Sequence, residues 1–382
     1  MRVCHVSPHL PPDQAANALL PAELGSWARA RGDDVTFVSH EPAQGRTALD
    51  GTVAGEWRIP RRQTAGGLTR ALRIDSFRQL RAVGAALERA ARNVDLLHLH
   101  SNGLIIEAAA AWAARRAIPY VLTLYGTEIW HYRPRWPIDP FTRAYRRAGE
   151  VTFYSGRLLD RARELGLDRS GLSVVYPAYS SSFAPLDAAS RAGARTALGI
   201  GEPIVLLNVK RLHELAGQRY LIDAFARLTR ARHDLRLVIC GTGPLREALE
   251  AQARDAGISG KVTFTGLVSN DVVARYAAVA DVFALPSLLE ALPTVAVEAL
   301  ASGTPVVSAD HPGGIELHEI FGDDVAVVPK QNVERLAESL ADAIAPPRRV
   351  RAATLDLVRQ HFSPAAVHAA YDAVYDRVLR GR

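Results

Sequence analysis

LRLVICGTGPLREALEAQARDAGISGKVTFTG, residues 235–266, decides the fold. An apolar run with Val and Ile closes on a glycine, a stretch with helical spacing follows to about Ala256, and a second β-branched run closes on another glycine. A strand covered on both faces reads as a continuous apolar run. Two such strands joined by a helix make a parallel strand–helix–strand unit.

The same rhythm extends in both directions. IVLLNVK (204–210) precedes the segment, and DVFALP (281–286), TPVVSA (304–309) and GDDVAVVP (322–329) follow it, with helical patterns between them. The N-terminal half repeats the alternation with MRVCHVSP, DVTFVSH, DLLHLH, YVLTLYG, VTFYS and SVVYP, and places a long basic helix at about 68–92. YSSSFAPLDAASRAGARTALGIGEP (179–203), rich in small residues, interrupts the pattern and reads as a linker with a short helix. The expected fold is α/β, with two doubly wound Rossmann-type domains in tandem. Their expected limits are 1–178 and 201–355, joined by a linker at 179–200, with a C-terminal helix at 356–382 crossing back to the first domain. Ligands of such sheets bind beyond the carboxyl ends of the strands, so the expected site is a central cleft that the two domains face.

With 382 residues, 48% of them hydrophobic and 23% charged, the chain suits two soluble cores. The opening MRVCHVSPHLPPDQ does not read as a signal peptide, and no run reaches the roughly 20 apolar residues that span a bilayer. Cys4 and Cys240, the only cysteines, each sit in a strand-like run and offer neither a disulfide framework nor a metal site. The expected setting is cytoplasmic. A net charge of +6 points to nucleic acid, an anionic membrane or a phosphate-bearing ligand. No nucleic-acid-binding motif is present, which sets that partner aside. Arg58, Arg61, Arg62, Arg70, Arg73, Arg78 and Arg81 form a basic run opposed only by Asp75, and WHYRPRWPIDPFTRAYRR (130–147) joins Arg to Trp. These residues fit a solvated arginine face or, alternatively, a phosphorylated acceptor or peripheral contact with the inner face of an anionic membrane.

Two carboxylates stand out in LPSLLEALPTVAVEALASG (285–303). Glu290 falls in the loop after a strand. Glu298 lies in a helix that is apolar nearly all round, with Pro293 at its start and Gly303 near its end. A buried carboxylate needs donors. Taken alone, Glu298 fits a vicinal diol of a sugar as well as a buried arginine.

The longer stretch LPSLLEALPTVAVEALASGTPVVSADHPGG resembles the signature of glycosyltransferase family 4, retaining enzymes of GT-B fold. The signature runs Pro-Ser, a first Glu, seven residues, a second Glu, then Ala-x-Ala-x-Gly-x-Pro-Val-Val and a Gly-Gly turn. NVKRL (208–212), VICGTGPLREALE (238–250), KVTFTGLVSNDVVARYAAVADVFALPS (261–287) and LTLYGTEIW (122–130) extend the likeness. The resemblance implies that Glu298 holds the ribose of a nucleotide-sugar donor and that Glu290 contacts the transferred sugar. It further implies that Gly241 and Gly243 line the donor site, that Gly313, Gly314 and Glu316 (or Glu319) lie at the sugar or diphosphate, and that Arg211 clamps the diphosphate. Acceptors are implied for the N-terminal domain, where His98 and His100 share one strand face and Tyr125 stands where the family usually has a histidine. The family's lysine five residues after the arginine is replaced here by Ala216. Lys210 and His213 are the candidates to supply the second cation.

No Asp-x-Asp occurs, so no cofactor or metal is expected, and a metal-independent hexosyltransferase is implied. The expected function is retaining transfer of a sugar from a UDP- or GDP-sugar to a hydroxyl acceptor, in cell-surface glycan, lipid or secondary-metabolite synthesis. The alternatives are a nucleotide-sugar epimerase or hydrolase of the same fold, and a two-domain sugar-binding protein without catalysis.

Overall fold

A computed structural model describes residues 1–13, 16–42, 54–61, 74–134, 139–201 and 203–381. Arg62, Arg70 and Arg73 of the basic run, and positions 135–138 of the Arg/Trp segment, lie outside the described residues.

The chain divides into two compact units, Met1–Val175 with His368–Arg382, and Tyr176–Val367. The first holds a seven-stranded sheet: β1 (Arg2–Ser7), β2 (Asp34–His40), β3 (Glu56–Ile59), β4 (Leu96–His100), β5 (Tyr120–Leu124), β6 (Glu150–Phe153) and β7 (Leu172–Val174), in the order β3-β2-β1-β4-β5-β6-β7. The second holds β8 (Ile204–Val209), β9 (Leu235–Cys240), β10 (Val262–Gly266), β11 (Val282–Leu285), β12 (Val306–Ala309) and β13 (Val325–Val328), in the order β10-β9-β8-β11-β12-β13. Every pairing is parallel. Both sheets are therefore doubly wound, as the alternation of the sequence implies.

The strand pattern builds two cores per sheet. Along β8, Val205 and Leu207 enter one cluster with Val238, Phe283 and Leu300. Ile204 and Leu206 enter another, on the opposite face, with Leu221, Phe225 and Leu237. Side chains alternate along a strand, so a run without polar breaks is what a strand between two helical layers requires. Each fully buried Leu, Val or Phe contributes about 1.5–3 kcal/mol over leaving it exposed.

The small-residue stretch after 178 is packed rather than loose. Asp187 caps the helix Ala188–Ala197 by accepting the Ser190 N–H. From that helix Arg191 and Arg195 reach the buried Asp281 at 2.7 and 3.4 Å. Phe183 and Ile200, on either side of it, are core residues of the second unit. At the other end, two helices, Ala352–Phe362 and Pro364–Arg380, replace a single C-terminal one. Proline disfavours helical backbone at the residue before it, so the first helix stops at Ser363, and the Ser363 hydroxyl accepts the Ala366 N–H to start the second. Within the first unit, Arg377 of that last helix binds the buried Glu150 through two nitrogens.

The described part of the basic helix is Ile74–Ala90. Arg58 and Arg61 do not belong to an open basic face. Arg58 pairs with Glu56 at 2.8 Å, and Arg61 with Asp13 at 2.7 Å. Among the described residues, no helix is long and apolar enough to cross a membrane.

Candidate functional site

In the second sheet the chain leaves β8 toward β9 and β10, then returns to β11 and continues the other way. The carboxyl ends of β8 and β11 therefore flank a switch point, where loops diverge and leave a crevice. Lys210, Arg211, Gly241, Gly243 and Glu290 lie on the loops after β8, β9 and β11, and Glu298, Gly313, Gly314 and Glu316 on the helices that follow β11 and β12.

β8 ends at Val209 and the chain bends at Lys210, whose N–H donates to the Cys240 carbonyl at 3.0 Å. The bend lets Lys210 reach across the switch point to Glu290, with Nζ 2.6 Å from Oε1. The two side chains are only 22% and 17% exposed. Arg211, by contrast, is exposed, and its guanidinium has no ion-pair partner among the described residues. Its carbonyl is fixed by Gln218 Nε2 at 3.2 Å. Ala216, at the position of the family's lysine, is fully buried.

The glycines let these loops interlock. A Cβ on Gly241 would lie 2.1 Å from the Lys210 carbonyl oxygen, and one on Gly243 would lie 2.1 Å from that of Leu212. Gly241 also has φ +143°, a backbone few other residues adopt.

Gly313 and Gly314 do not form a separate turn. They sit in the first turn of the helix Pro312–Phe321, which Pro312 begins and His311 caps. The Gly313 N–H donates to the Glu290 carbonyl at 3.1 Å, and the Gly314 N–H to His311 Nδ1 at 2.9 Å. This helix end is thus already satisfied. The His311 cap was not evident in the sequence, although the His-Pro-Gly-Gly run contains both the cap and the proline. Its imidazole is buried, and desolvation, with Lys210 and Lys330 adding to it, lowers its pKa to about 3. It is therefore neutral, and since Nδ1 accepts, Nε2 carries the proton toward Ser308 Oγ at 3.2 Å.

The helix Thr294–Ala301 differs. Pro293 precedes it without a side-chain cap, and the N–H groups of Thr294 and Val295 have no acceptor among the described residues. Glu298 lies one turn further along the face of Thr294 and Val295 and is half-buried, while Ala296, Val297, Ala299 and Leu300 fill the core. The helix is therefore open along one stripe. Ser287 Oγ, after β11, and Gln218 Oε1 are buried without a hydrogen-bond partner among the described residues. Glu316 is buried beside Tyr176, whose phenol is pushed up by burial and by that carboxylate, whereas Glu319 is exposed.

In the first unit, His98 and His100 project to the same side of β4 with ring centroids 3.9 Å apart. Both are fully buried. His98 bonds Tyr375 and Thr123 hydroxyls at 2.7 Å each, while His100 bonds Tyr125 at 2.8 Å and His5 at 2.9 Å. Burial lowers the pKa of His98 and His100 well below the usual value, and that of His5 to about 3. The three form a neutral internal network. His5, Nδ1 toward His100, is the member that sequence reading left out. A separate cavity of about 410 Å³ opens beside this network's loops, lined by Asn102, Thr127, Glu128, His131, Arg133 and Asp139 among others. Glu128, also missed in the sequence, is buried and accepts the Gly126 N–H at 2.8 Å and the Ser101 hydroxyl, which fixes one wall.

Two family models match the chain: Glycosyltransferase Family 4 over residues 22–182 and Glycosyl transferases group 1 over residues 191–354. Among curated relatives, the 2-deoxystreptamine glucosyltransferase of Streptomyces kanamyceticus is 29% identical over 229 residues, 56% of this chain and 59% of that protein. The GDP-mannose-dependent alpha-(1-6)-phosphatidylinositol monomannoside mannosyltransferase of Mycolicibacterium smegmatis is 33% identical over 241 residues, 60% of this chain and 62% of that protein. The chain thus spans about three-fifths of the length of these relatives. Among solved structures, sucrose-phosphate synthase of Thermosynechococcus elongatus superposes with a TM-score of 0.76 at 19% identity, covering 100% of both chains. The Anabaena protein Alr3699/HepE in complex with UDP gives 0.78 at 18%, covering 98% of this chain and 100% of that one. These superpositions establish the GT-B fold.

Proposed function

The chain belongs to glycosyltransferase family 4, and from that premise we propose that it moves a sugar from a nucleotide-activated donor to a hydroxyl acceptor with retention of configuration. The observation that carries this reading is the gathering of Arg211, the Lys210–Glu290 pair and the uncapped helix Thr294–Ala301 around one switch point. A departing nucleoside diphosphate develops negative charge. An unpaired guanidinium and unpartnered N–H groups at a helix start stabilise such charge. Glu298, one turn into that helix, is the proposed ribose ligand, and Glu290 the proposed ligand of the transferred sugar. The cations are side chains, so the proposed chemistry runs without a metal.

For the acceptor we propose the polar cavity bounded by Thr127, Glu128 and His131. Its lining suits a polyhydroxylated molecule, in keeping with the aminocyclitol and phosphoinositide glycosides named for the two relatives above. The proposed setting is the cytoplasm, with the helix Ile74–Ala90 resting on anionic lipid.

A thermal-shift panel of UDP-, GDP-, ADP- and TDP-sugars, run with and without EDTA, tests the donor side, because a ligand of the native state raises the melting temperature. At least one nucleotide should do so in both conditions. A panel without any shift would sink the donor assignment, and a shift seen only without EDTA would sink the metal-free one.

A further inference from the structure

We propose that Lys210 and Glu290 exchange partners when a donor enters. The ammonium passes from the carboxylate to the diphosphate, and the carboxylate thereby released takes the hydroxyls of the donor sugar. This inference rests on the donor reading above and adds a coupling between the two halves of the donor.

The two side chains meet at 2.6 Å, each with about a fifth of its surface open. Their backbones are pinned. The Lys210 N–H is bound to Cys240, and Gly241 packs against the Lys210 carbonyl. The Glu290 carbonyl receives the Gly313 N–H, and two residues earlier the Leu288 N–H is bound to Leu215. A change of partner therefore needs side-chain rotation only, which a flexible lysine stem allows.

The neighbouring Arg211 has no acid partner among the described residues and offers its charge to an anion at once. Lys210 does not, because Glu290 already holds it. A bare nucleoside diphosphate must break the pair and leave the carboxylate without a partner. A sugar nucleotide compensates, because its hydroxyls replace the ammonium. The sugar and the diphosphate should then each favour the binding of the other, which is a coupling free energy in the ordinary sense.

This gives an unusual sign. A glutamate that merely touched nucleotide would weaken binding when neutralised, whereas Glu290→Gln should tighten binding of the bare nucleoside diphosphate by releasing Lys210. A partly open ion pair is modest in strength, so the gain should be about threefold to fivefold. Calorimetry with the nucleoside diphosphate that the panel identifies is the measurement. The wild type, Glu290→Gln, Lys210→Ala and the double variant form a cycle, with melting curves to check folding and Glu290→Ala as a second neutral variant. The expected result is tighter binding in Glu290→Gln and Glu290→Ala, weaker binding in Lys210→Ala, and no gain from Glu290→Gln once Lys210 is absent. Unchanged or weaker affinity in the folded Glu290 variants, with the wild type binding normally, would overturn the exchange while leaving the donor site standing. If the wild type bound no nucleoside diphosphate of any base, the donor reading would fail and the exchange with it.

Discussion

The imidazole of His311 accepts the Gly314 N–H at 2.9 Å and so occupies, from within the protein, a helix end whose N–H groups would otherwise be open to an anion. The helix Thr294–Ala301 has no such cap. If this distinction governs anion binding, His311→Ala should cost stability without costing affinity. Loss of a helix cap is worth about 0.5–2 kcal/mol, and the vacated space adds to it. Nucleoside diphosphate affinity should stay within about threefold, well under the tenfold that 1.4 kcal/mol represents. A larger loss of affinity in a folded variant would return the phosphate to the Gly313–Gly314 end.

Arg211 and Glu298 should separate binding from stability. Arg211 is exposed and has no ion-pair partner among the described residues, so Arg211→Ala should leave the melting temperature nearly unchanged, as surface substitutions do, within about 0.5 kcal/mol. Affinity for the nucleoside diphosphate should fall by the worth of a charge-assisted hydrogen bond, about 1.5–3 kcal/mol. Glu298→Gln should weaken binding of nucleotides that carry an intact ribose and spare pyrophosphate. Equal loss for both ligands would place Glu298 at the phosphates.

Gly243 is demanded by space. Its Cβ would sit 2.1 Å from a backbone oxygen, so Gly243→Ala must push the β8 and β9 loops apart, and overpacking of this kind costs about 1–3 kcal/mol. Gly260, with no atom within 4 Å of its Cβ position, is the matched control. Gly260→Ala should be nearly neutral. Comparable melting temperatures for the two variants would contradict the interlock.

The contrast between these two glycines marks what a sequence can and cannot reveal. The apolar runs at 204–210 and 235–241, short and rich in β-branched residues, announce buried parallel strands, and the order of strands and helices follows from them. The pairing of Lys210 with Glu290 was not legible, since it depends on β8 and β11 becoming neighbours and on a bend at Lys210. Strand alternation alone gives no sign of either. Arg191 and Arg195 looked like linker composition for the same reason: Asp281, their partner, lies far along the chain. The apolar neighbours of Glu298 suggest an enclosed side chain, yet the helix leaves one stripe open at Thr294 and Val295. Strand alternation places His98 and His100 on a common face. That the face is internal was decided by Tyr371 and Tyr375 of the last helix, which close over it.

That histidine network predicts acid sensitivity. His5, His98 and His100 are held neutral by burial, with folded values depressed below the ordinary one near 6.5 and that of His5 at about 3. The unfolded chain binds protons at the ordinary value. Between the two values the unfolded state carries more protons, so the stabilisation is complete above about pH 6.5 and is lost as pH falls. Each histidine can add up to about 1.4 kcal/mol per pH unit to the slope. The melting temperature should therefore drop steadily from pH 6.5 to pH 5. A flat profile there would mean that these histidines take up protons in the native protein as they do in the unfolded chain, and the neutral network would be refuted.

The helix Ile74–Ala90 has one face in the core and one open to solvent. Gln79, Val83, Ala86, Leu87 and Ala90 face the core, at the spacing of one helical stripe. On the outer side Phe77 is 64% and Leu80 41% exposed, each followed directly by an exposed arginine, Arg78 and Arg81. Neither arginine has an ion-pair partner among the described residues, unlike Arg58 and Arg61. An aromatic and an aliphatic side chain beside two unpaired cations on a convex helix suit a planar anionic surface, where the apolar groups enter the interface and the guanidinium groups meet lipid phosphates. Sedimentation with vesicles containing phosphatidylserine should retain the protein at low salt and release it as the Debye length shortens, and neutral vesicles should retain less. Arg78→Gln with Arg81→Gln should remove the charge-dependent part. Phe77→Ser should weaken binding at every salt concentration, since it removes the buried area and leaves the charge. Binding that ignored all three substitutions would assign any membrane contact to another surface, and no binding to acidic vesicles at low salt would leave this helix as a solvated face.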